Sequence, residues 1–95
     1  MTDPTLLILA SLADGDKHGY AMMADVRRFA GVRLGAGTLY GAITRLEQLG
    51  WIEGLELEDR RRPYRLTASG RRHLEEEMAS LDKLVKTAQR RLRHA

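Results

Sequence analysis

The chain has 95 residues, of which 43% are hydrophobic and 31% are charged, which fits one folded domain with a modest core and excludes a disordered segment. The absence of cysteine excludes a disulfide framework and a cysteine-based zinc site. The longest apolar run, Leu6–Ala10, is far shorter than the roughly 20 residues of a membrane-spanning helix, and the sequence shows no secretory leader pattern, so we expect a cytoplasmic protein that does not cross a membrane.

Charge is divided unevenly along the chain. Residues 1–57 contain five Lys/Arg and seven Asp/Glu, whereas residues 58–95 contain eleven Lys/Arg and six Asp/Glu. The net charge of +3 therefore arises in the later part, which begins with the run Arg60–Arg62. This distribution favours an anionic partner, either a nucleic acid or a membrane surface, and a merely solvated charged face is the alternative.

Two helices are predicted before residue 31. Asp3 is a good N-cap and Pro4 suits the first position of a helix that Asp14-Gly15-Asp16 ends. The second helix is predicted from near His18 to about Ala30, with Gly31 as its C-cap. The apolar positions that its spacing turns toward the core are Tyr20, Met23, Ala24, Val26 and Phe29.

Residues 36–49 form the third predicted helix, which Gly50 ends. Its apolar residues fall at i, i+3, i+4, i+7 and i+10, and we expect this stripe to be buried: Leu39, Ala42, Ile43, Leu46 and Leu49. The opposite face lacks the Glu and Lys of an ordinary solvated helix and contains Thr38, Gly41, Thr44, Arg45 and Gln48.

The apolar period changes after Gly50. Two short strands are predicted on either side of a polar turn at 58–62, the first with Ile52, Leu55 and Leu57 and the second with Tyr64 and Leu66. Because proline is confined to strand starts and edges, Pro63 predicts a peripheral hairpin. Trp51 is expected to cap the core.

Thr67 is predicted to cap a long last helix with an apolar stripe in steps of four and three residues. A helix of about 25 residues is about 37 Å long, more than so small a body covers. We therefore expect its distal part to pack on a second copy of the chain, with its own core as the alternative. The predicted homodimer interface comprises Leu74, Met78, Leu81, Leu84, Val85, Ala88 and Leu92.

The order of these elements is three helices, a two-stranded hairpin and a long helix. It predicts a mainly α fold with a small β-hairpin, in which residues 1–67 form a winged helix-turn-helix and residues 68–95 form a C-terminal dimerisation helix. No internal repeat interrupts this order.

Enzyme chemistry finds little support in the sequence. The three histidines, His18, His73 and His94, lack metal-ligand spacing, and no nucleophile elbow, Walker loop or dinucleotide fingerprint occurs. The carboxylates Glu75–Glu77 form one run on a solvated helix instead of a converging pair. We expect neither catalysis nor a metal nor a cofactor.

Binding to double-stranded DNA explains the exposed face of the third helix. A helix in the major groove must approach base edges closely, and acidic side chains there are repelled by phosphate. Small or hydrogen-bonding side chains suit the N-terminal end of such a helix. The candidate DNA-binding residues on it are Thr38, Tyr40, Gly41, Thr44 and Arg45, of which Arg45 is able to read guanine or to contact phosphate.

The predicted hairpin tip adds Arg60, Arg61 and Arg62 to the candidate DNA-binding residues. Arginines in this position are able to straddle backbone phosphates or to enter a minor groove, whose negative potential attracts them. An RRR run alone is a weak signal, and its place directly after such a helix makes it more specific.

Four motifs together resemble the PadR-like transcriptional regulators over about residues 5–75: His18-Gly19-Tyr20, Gly37-Thr38-Leu39-Tyr40, Arg45-Leu46-Glu47 with Gly50-Trp51-Ile52, and Tyr64-Arg65-Leu66-Thr67 with Gly70. The resemblance implies a dimeric, cytoplasmic bacterial regulator, usually a repressor, with a winged-helix DNA-binding domain. It also implies that the C-terminal helix builds the dimer and that the Leu-Tyr motif lies on the recognition helix.

The resemblance assigns expected roles to single residues. Tyr40 would lie at the DNA-facing start of the recognition helix and contact phosphate, whereas Tyr20 would pack between helices. The chain departs from the family pattern at Gly41, where proline is usual, and at Pro63, where a second aromatic residue is common. The first departure puts the shape of the recognition helix in question, and the second concerns only the wing.

Two other functions are compatible with the sequence. A winged helix that binds another protein and never meets DNA would explain the acidic N-terminal half and the single basic residue, Arg45, on the third helix. A sensor of an unknown small-molecule effector would need a cavity between protomers. The first alternative is distinguished by whether the basic tip and the bare helix face lie on the same side of the dimer.

Overall fold

The structure is a computed structural model that describes residues 3–95, so the first two residues of the predicted 1–67 domain lie outside the described range. Within that range, the elements are α1 (Pro4–Leu12), β1 (Lys17–His18), α2 (Gly19–Ala30), α3 (Ala36–Gln48), β2 (Ile52–Gly54), β3 (Pro63–Leu66) and α4 (Ala68–Arg93). The predicted fold class, a mainly α winged helix-turn-helix with a small β element, is confirmed.

The predicted helix caps are present. The Asp3 carboxylate accepts a hydrogen bond from the Thr5 N–H at 2.9 Å, and His18 Nδ1 accepts one from the Ala21 N–H at 3.3 Å. Gly31 ends α2 in the left-handed conformation, with φ of 67°. Each cap satisfies a backbone group that has no partner within the helix, which sets where the helix begins or ends.

Helix α1 lies at the centre of the body and packs against α2, α3, α4 and β3. Full burial of a single Leu, Ile or Met side chain contributes about 1.5–3 kcal/mol, so this cluster is the main source of stability. The core consists of Leu7, Ile8, Leu9, Leu12, Met22, Val26, Leu34, Leu39, Ala42, Ile43, Leu46, Ile52, Tyr64 and Leu74.

The predicted buried face of α2 is wrong for its aromatic residues. Met22 and Val26, one turn apart, face the core, whereas Tyr20 and Phe29 are 60% and 51% exposed. Tyr20 is two residues before Met22, about 200° away around the helix, and so points away from the core instead of packing between helices. On α3, Leu49 is 46% exposed because it is the C-cap, beyond the last buried turn.

The sheet has three antiparallel strands in the order β1-β3-β2, so the predicted two-stranded hairpin is incomplete. The missed strand, β1, pairs Lys17 with Tyr64 and His18 with Pro63. Pro63 begins its strand as expected, but β3 is central, and the expectation of a peripheral hairpin is wrong. A proline is tolerated here because it is the first residue of the strand, where its missing N–H costs little, and its carbonyl accepts a hydrogen bond, at 2.9 Å, from the Leu55 N–H.

The β2–α4 joint, formed by Gly50, Trp51, Thr67, Gly70 and His73, fixes the start of the long helix against the sheet. Thr67 donates its N–H to the Trp51 carbonyl at 3.0 Å and its hydroxyl to the Gly50 carbonyl at 2.7 Å. The same hydroxyl oxygen caps α4 by accepting the Gly70 N–H at 3.0 Å. The Trp51 and His73 rings stack with centroids 3.7 Å apart, so Trp51 covers the core edge as expected.

Helix α4 is in part integral to the body and in part free of it. Its first two turns place Gly70 and Leu74 in buried positions. From Met78 to the end of the chain, every residue except the half-buried Thr87 is exposed. The long axis of the molecule, 55 Å, reflects this projecting helix.

Candidate nucleic-acid interface

The five sequence-predicted residues of α3 lie on one exposed side of the helix. Thr38, Gly41, Thr44 and Arg45 are exposed, and Tyr40 is 42% exposed. The stripe Leu39–Ala42–Ile43–Leu46 is buried on the opposite side and holds the helix in the core. The first three turns contain no acidic side chain, so this face is able to approach phosphate without charge repulsion.

Gly41 leaves α3 continuous and its surface flat. The helix runs from Ala36 to Gln48 without a break, and a Cβ atom placed on Gly41 would meet nothing within 4 Å. The Thr44 hydroxyl donates to the Tyr40 carbonyl at 2.9 Å, which leaves its oxygen able to accept a hydrogen bond. The departure from the usual proline therefore removes bulk from the exposed face without bending the helix.

Tyr40 packs across the start of α2. A Cβ atom on Gly19 would lie 2.6 Å from the Tyr40 hydroxyl oxygen and 2.9 Å from its ring. Glycine at position 19 thus leaves room for the Tyr40 ring, which a larger residue would displace. The tyrosine holds α2 and α3 together while part of it stays exposed.

The wing, residues 52–66, ends in a tight turn with Arg60 at its tip. Glu58 and Arg61 exchange two backbone hydrogen bonds, of 2.7 and 2.8 Å. Between them, Asp59 and Arg60 have φ of 47° and 68°, the left-handed values that a type I′ turn needs at both central positions. Arg60 is exposed at this turn.

Arg61 and Arg62, the two arginines that follow Arg60, have partners inside the protein. Arg62 donates from Nη1 to the Leu55 carbonyl at 2.6 Å, across the base of the wing loop. The Arg61 guanidinium carbon lies 5.6 Å from the centre of the Tyr20 ring, within the range of a cation–π interaction. The three arginines are therefore not equivalent, contrary to their equal treatment in the sequence prediction.

A cavity of about 110 Å³ brings the wing and the start of α3 together. Burial raises the pKa of the Tyr64 phenol in its wall, and the nearby Glu47 carboxylate raises it further. The basic tip and the start of the bare helix therefore share one side of the protomer. The cavity is lined by His18, Gly19, Tyr20, Tyr40, Arg60, Arg61, Arg62 and Tyr64.

The predicted dimer stripe divides into two parts. Leu74 is 5% exposed and packs in the core of its own chain, so its side chain is not available to a partner. The remaining positions are exposed: Met78, Leu81, Leu84, Val85, Ala88 and Leu92.

The described residues contain neither a cluster of three or more His, Asp or Glu placed to hold a metal ion nor a helix long and apolar enough to span a membrane.

Comparison with known proteins decides the family. The model of the PadR-like transcriptional regulator family matches residues 8–76, most of the chain. The chain belongs to this family. The PadR-like fold is shared with a PadR family transcription regulator from Clostridium difficile, with a TM-score of 0.86 and 26% identity over 96% of this chain and 99% of that one. A transcriptional regulator from Clostridium thermocellum has a TM-score of 0.80 and 28% identity, over 92% of this chain and 87% of that chain.

Two sequence relatives support the assignment. Transcriptional regulator Rv3488 of Mycobacterium tuberculosis is 37% identical over 85% of this chain and 78% of its own length. A 37.1 kDa protein in transposon TN4556 of Streptomyces fradiae is 46% identical over 86% of this chain, but the match spans only 24% of that longer protein. The relatives named for a function are transcriptional regulators, not enzymes.

Sequence reasoning missed Tyr20 as part of this PadR-like site. Its aromatic character was attributed to the core, and helical spacing alone is ambiguous because Tyr20 and Met22 both start plausible stripes. One signal pointed the other way: Met22 and Val26 are four residues apart, about one helical turn. It does not show that Tyr20 meets the wing, because 41 positions separate Tyr20 from Arg61 in the sequence.

Proposed function

We propose that this PadR-like regulator is a homodimeric, sequence-specific DNA-binding repressor that acts in the cytoplasm. Helix α3 would lie in the major groove, and the wing would contact the flanking backbone. Residues 1–67 would serve as the DNA-binding domain and residues 68–95 as the dimerisation helix. The observation that carries this proposal is the cavity that Tyr40 shares with Arg60–Arg62. It supports the proposal because the start of α3 and the wing tip lie on one side of the protomer.

The exposed face of α3 supports a reading role. Thr38 and Thr44 offer hydroxyl groups, Arg45 offers a guanidinium, and Gly41 lets the backbone come close to base edges. A bidentate contact from arginine to guanine discriminates against the wrong base by about 1–3 kcal/mol. These residues thus have the chemistry that direct readout needs, on a helix held firmly by its buried stripe.

The projecting part of α4 supports dimerisation. Met78, Leu81 and Val85 are 51%, 43% and 49% exposed, and Leu84 and Leu92 are 63% and 77% exposed. A continuous apolar stripe of this kind is rare on a monomer and is typical of an interface. Since a second copy presents the same stripe, two-fold packing covers both at once. A two-fold dimer would bind a palindromic operator with half-sites about 10 bp, or a multiple, apart.

Selection of bound sites from a random double-stranded DNA library tests the proposal directly. We expect enrichment of one palindromic motif whose half-sites have the spacing above. An Arg45→Ala variant is expected to lose the preference at one base pair of each half-site, or to weaken binding evenly if Arg45 contacts phosphate. The matched control is Arg93→Ala, an exposed arginine near the end of α4, which should select the wild-type motif. A library in which no sequence is enriched would contradict DNA recognition and favour a protein partner instead.

Repression is the usual role in the family, and it is tested separately. A reporter gene placed behind the selected motif should be transcribed less when the protein is present. An increase in transcription would contradict the repressor role and leave DNA binding intact.

A further inference from the structure

The geometry of the wing tip assigns different tasks to Arg60, Arg61 and Arg62, and we propose that Tyr20 of α2 is the residue that positions this tip. In this arrangement Arg62 closes the wing loop, Arg61 holds the wing against the Tyr20 ring, and Arg60 alone is free to contact DNA. The DNA part of this inference rests on the proposed function, whereas the positioning part concerns the free protein.

Arg62 is committed to the wing itself. Its guanidinium donates to the Leu55 carbonyl at 2.6 Å. Its Cδ atom lies only 2.8 Å from the position that a Cβ atom on Gly54 would take. Glycine at position 54 therefore makes room for the arginine stem. A guanidinium hydrogen-bonded inside the loop is not free to follow a phosphate backbone.

Arg61 joins the wing to the helix-turn-helix. Its guanidinium carbon lies 5.6 Å from the centre of the Tyr20 ring, and Tyr20 is 60% exposed because it faces the wing side instead of the core. An arginine over an aromatic face is attracted by the negative charge density of the ring. The pairing of β1 with β3 fixes the base of the wing. Since α2 is fixed in the core by Met22 and Val26, the Arg61–Tyr20 contact holds the wing tip at a set distance from the reading face.

Arg60 is in a different position. It occupies the second central place of the tip turn, with φ of 68°, and is exposed. Among the ion pairs and side-chain hydrogen bonds found within residues 3–95, none involves Arg60. Arg60 is thus the one of the three tip arginines whose side chain the described residues do not engage in a hydrogen bond, an ion pair or a cation–π contact.

Hydrogen exchange of the free protein tests the positioning role without DNA. Tyr20→Leu removes the aromatic face, and the Glu58 and Arg61 amides, which close the wing turn, should exchange about two- to fivefold faster, as expected for an exposed cation–π contact. Tyr20→Phe keeps the ring and should match the wild type. Phe29→Leu is the matched control, an exposed aromatic about 13 Å further along the same helix, and it should leave wing exchange unchanged.

Titration of the selected DNA at several salt concentrations tests the separate roles of Arg60 and Arg61. The salt slope is the slope of the logarithm of affinity against the logarithm of salt concentration. Arg60→Gln should lower the salt slope by roughly 1, whereas Tyr20→Leu and Arg61→Met should each weaken binding, and together no more than either alone. Wing exchange that is unchanged in Tyr20→Leu, or equally accelerated in Tyr20→Phe, would overturn the positioning role whether or not the protein binds DNA. An unchanged slope in Arg60→Gln, in a protein that still selects its motif, would overturn the role of Arg60.

Discussion

Replacing Gly70 by alanine should disturb the β2–α4 joint and lower the free energy of unfolding. Among the glycines of the chain, an added methyl group meets the closest backbone atom at this position. A Cβ atom at this position would lie 2.0 Å from the Trp51 carbonyl oxygen and 2.8 Å from its carbonyl carbon. These atoms belong to the backbone, so a side-chain rotation cannot relieve the overlap. The start of α4 must therefore move away from β2.

The magnitude follows from the contacts that such a movement weakens. Overpacking in a filled site costs about 1–3 kcal/mol, and the two hydrogen bonds from Thr67 to the carbonyls of Gly50 and Trp51 are worth about 1 kcal/mol each. Alanine is better than glycine within a helix by about 1 kcal/mol, which offsets part of this. The net loss of unfolding free energy is about 2–4 kcal/mol, or about 8–30 °C in Tm for a chain of this size.

Thermal and urea unfolding followed by far-ultraviolet circular dichroism measure this loss, at one protein concentration because a dimer's stability depends on it. Gly41→Ala is the matched control: the same change in a helix interior, but with open space around the added methyl group. It should raise the free energy of unfolding by up to about 1 kcal/mol. If Gly70→Ala were as stable as Gly41→Ala, the packing argument for the joint would be refuted.

Three further predictions concern dimerisation, the wing tip and pH. Leu84→Glu should weaken the dimer at least about a hundredfold in sedimentation, since each copy loses an apolar contact; unchanged association would contradict the α4 interface. Arg60→Gly should stabilise the fold by about 1 kcal/mol in urea unfolding, because its φ of 68° suits glycine, while lowering the DNA salt slope. The hydrogen bond and charge of Lys17 lower the pKa of the Asp14 carboxyl below 3.8. The stability that this pair contributes is present above pH 3.8 and is lost as the pH falls through the lower pKa of folded Asp14. The difference in unfolding free energy between the wild type and Lys17→Met should therefore become smaller in acid. A difference that does not change with pH would contradict the role of the pair.

The helices were predictable because their signals are local. Asp3 and Thr67 as N-caps, Gly31 as a C-cap and the stripe on α3 depend on residues within one or two turns of each other. Such patterns need no knowledge of the rest of the fold. The fold class followed from their order.

The sheet was less predictable because its partners are distant in the sequence. The two-residue strand β1 has no period of its own, and it pairs with β3 more than 40 residues later. The predicted buried face of α2 was wrong for a related reason. Tyr20 and Met22 both suit a core position, and only the position of α1 decides which of them is covered. The unequal partners of Arg60, Arg61 and Arg62 likewise arise from tertiary contacts.

The close fit at Gly70 has a mechanical consequence for a protein with so long a final helix. Helix α4 extends about 35 Å from Gly70 to its end at Arg93 and acts as a lever whose fulcrum is the β2–α4 joint. Each degree of rotation at this joint displaces the far end by about 0.6 Å, by simple geometry on that length. A few degrees of play would thus be amplified into a shift comparable to the rise of one base pair. In the proposed dimer, stiffness at a single glycine would set the tolerance with which the two copies space their reading helices.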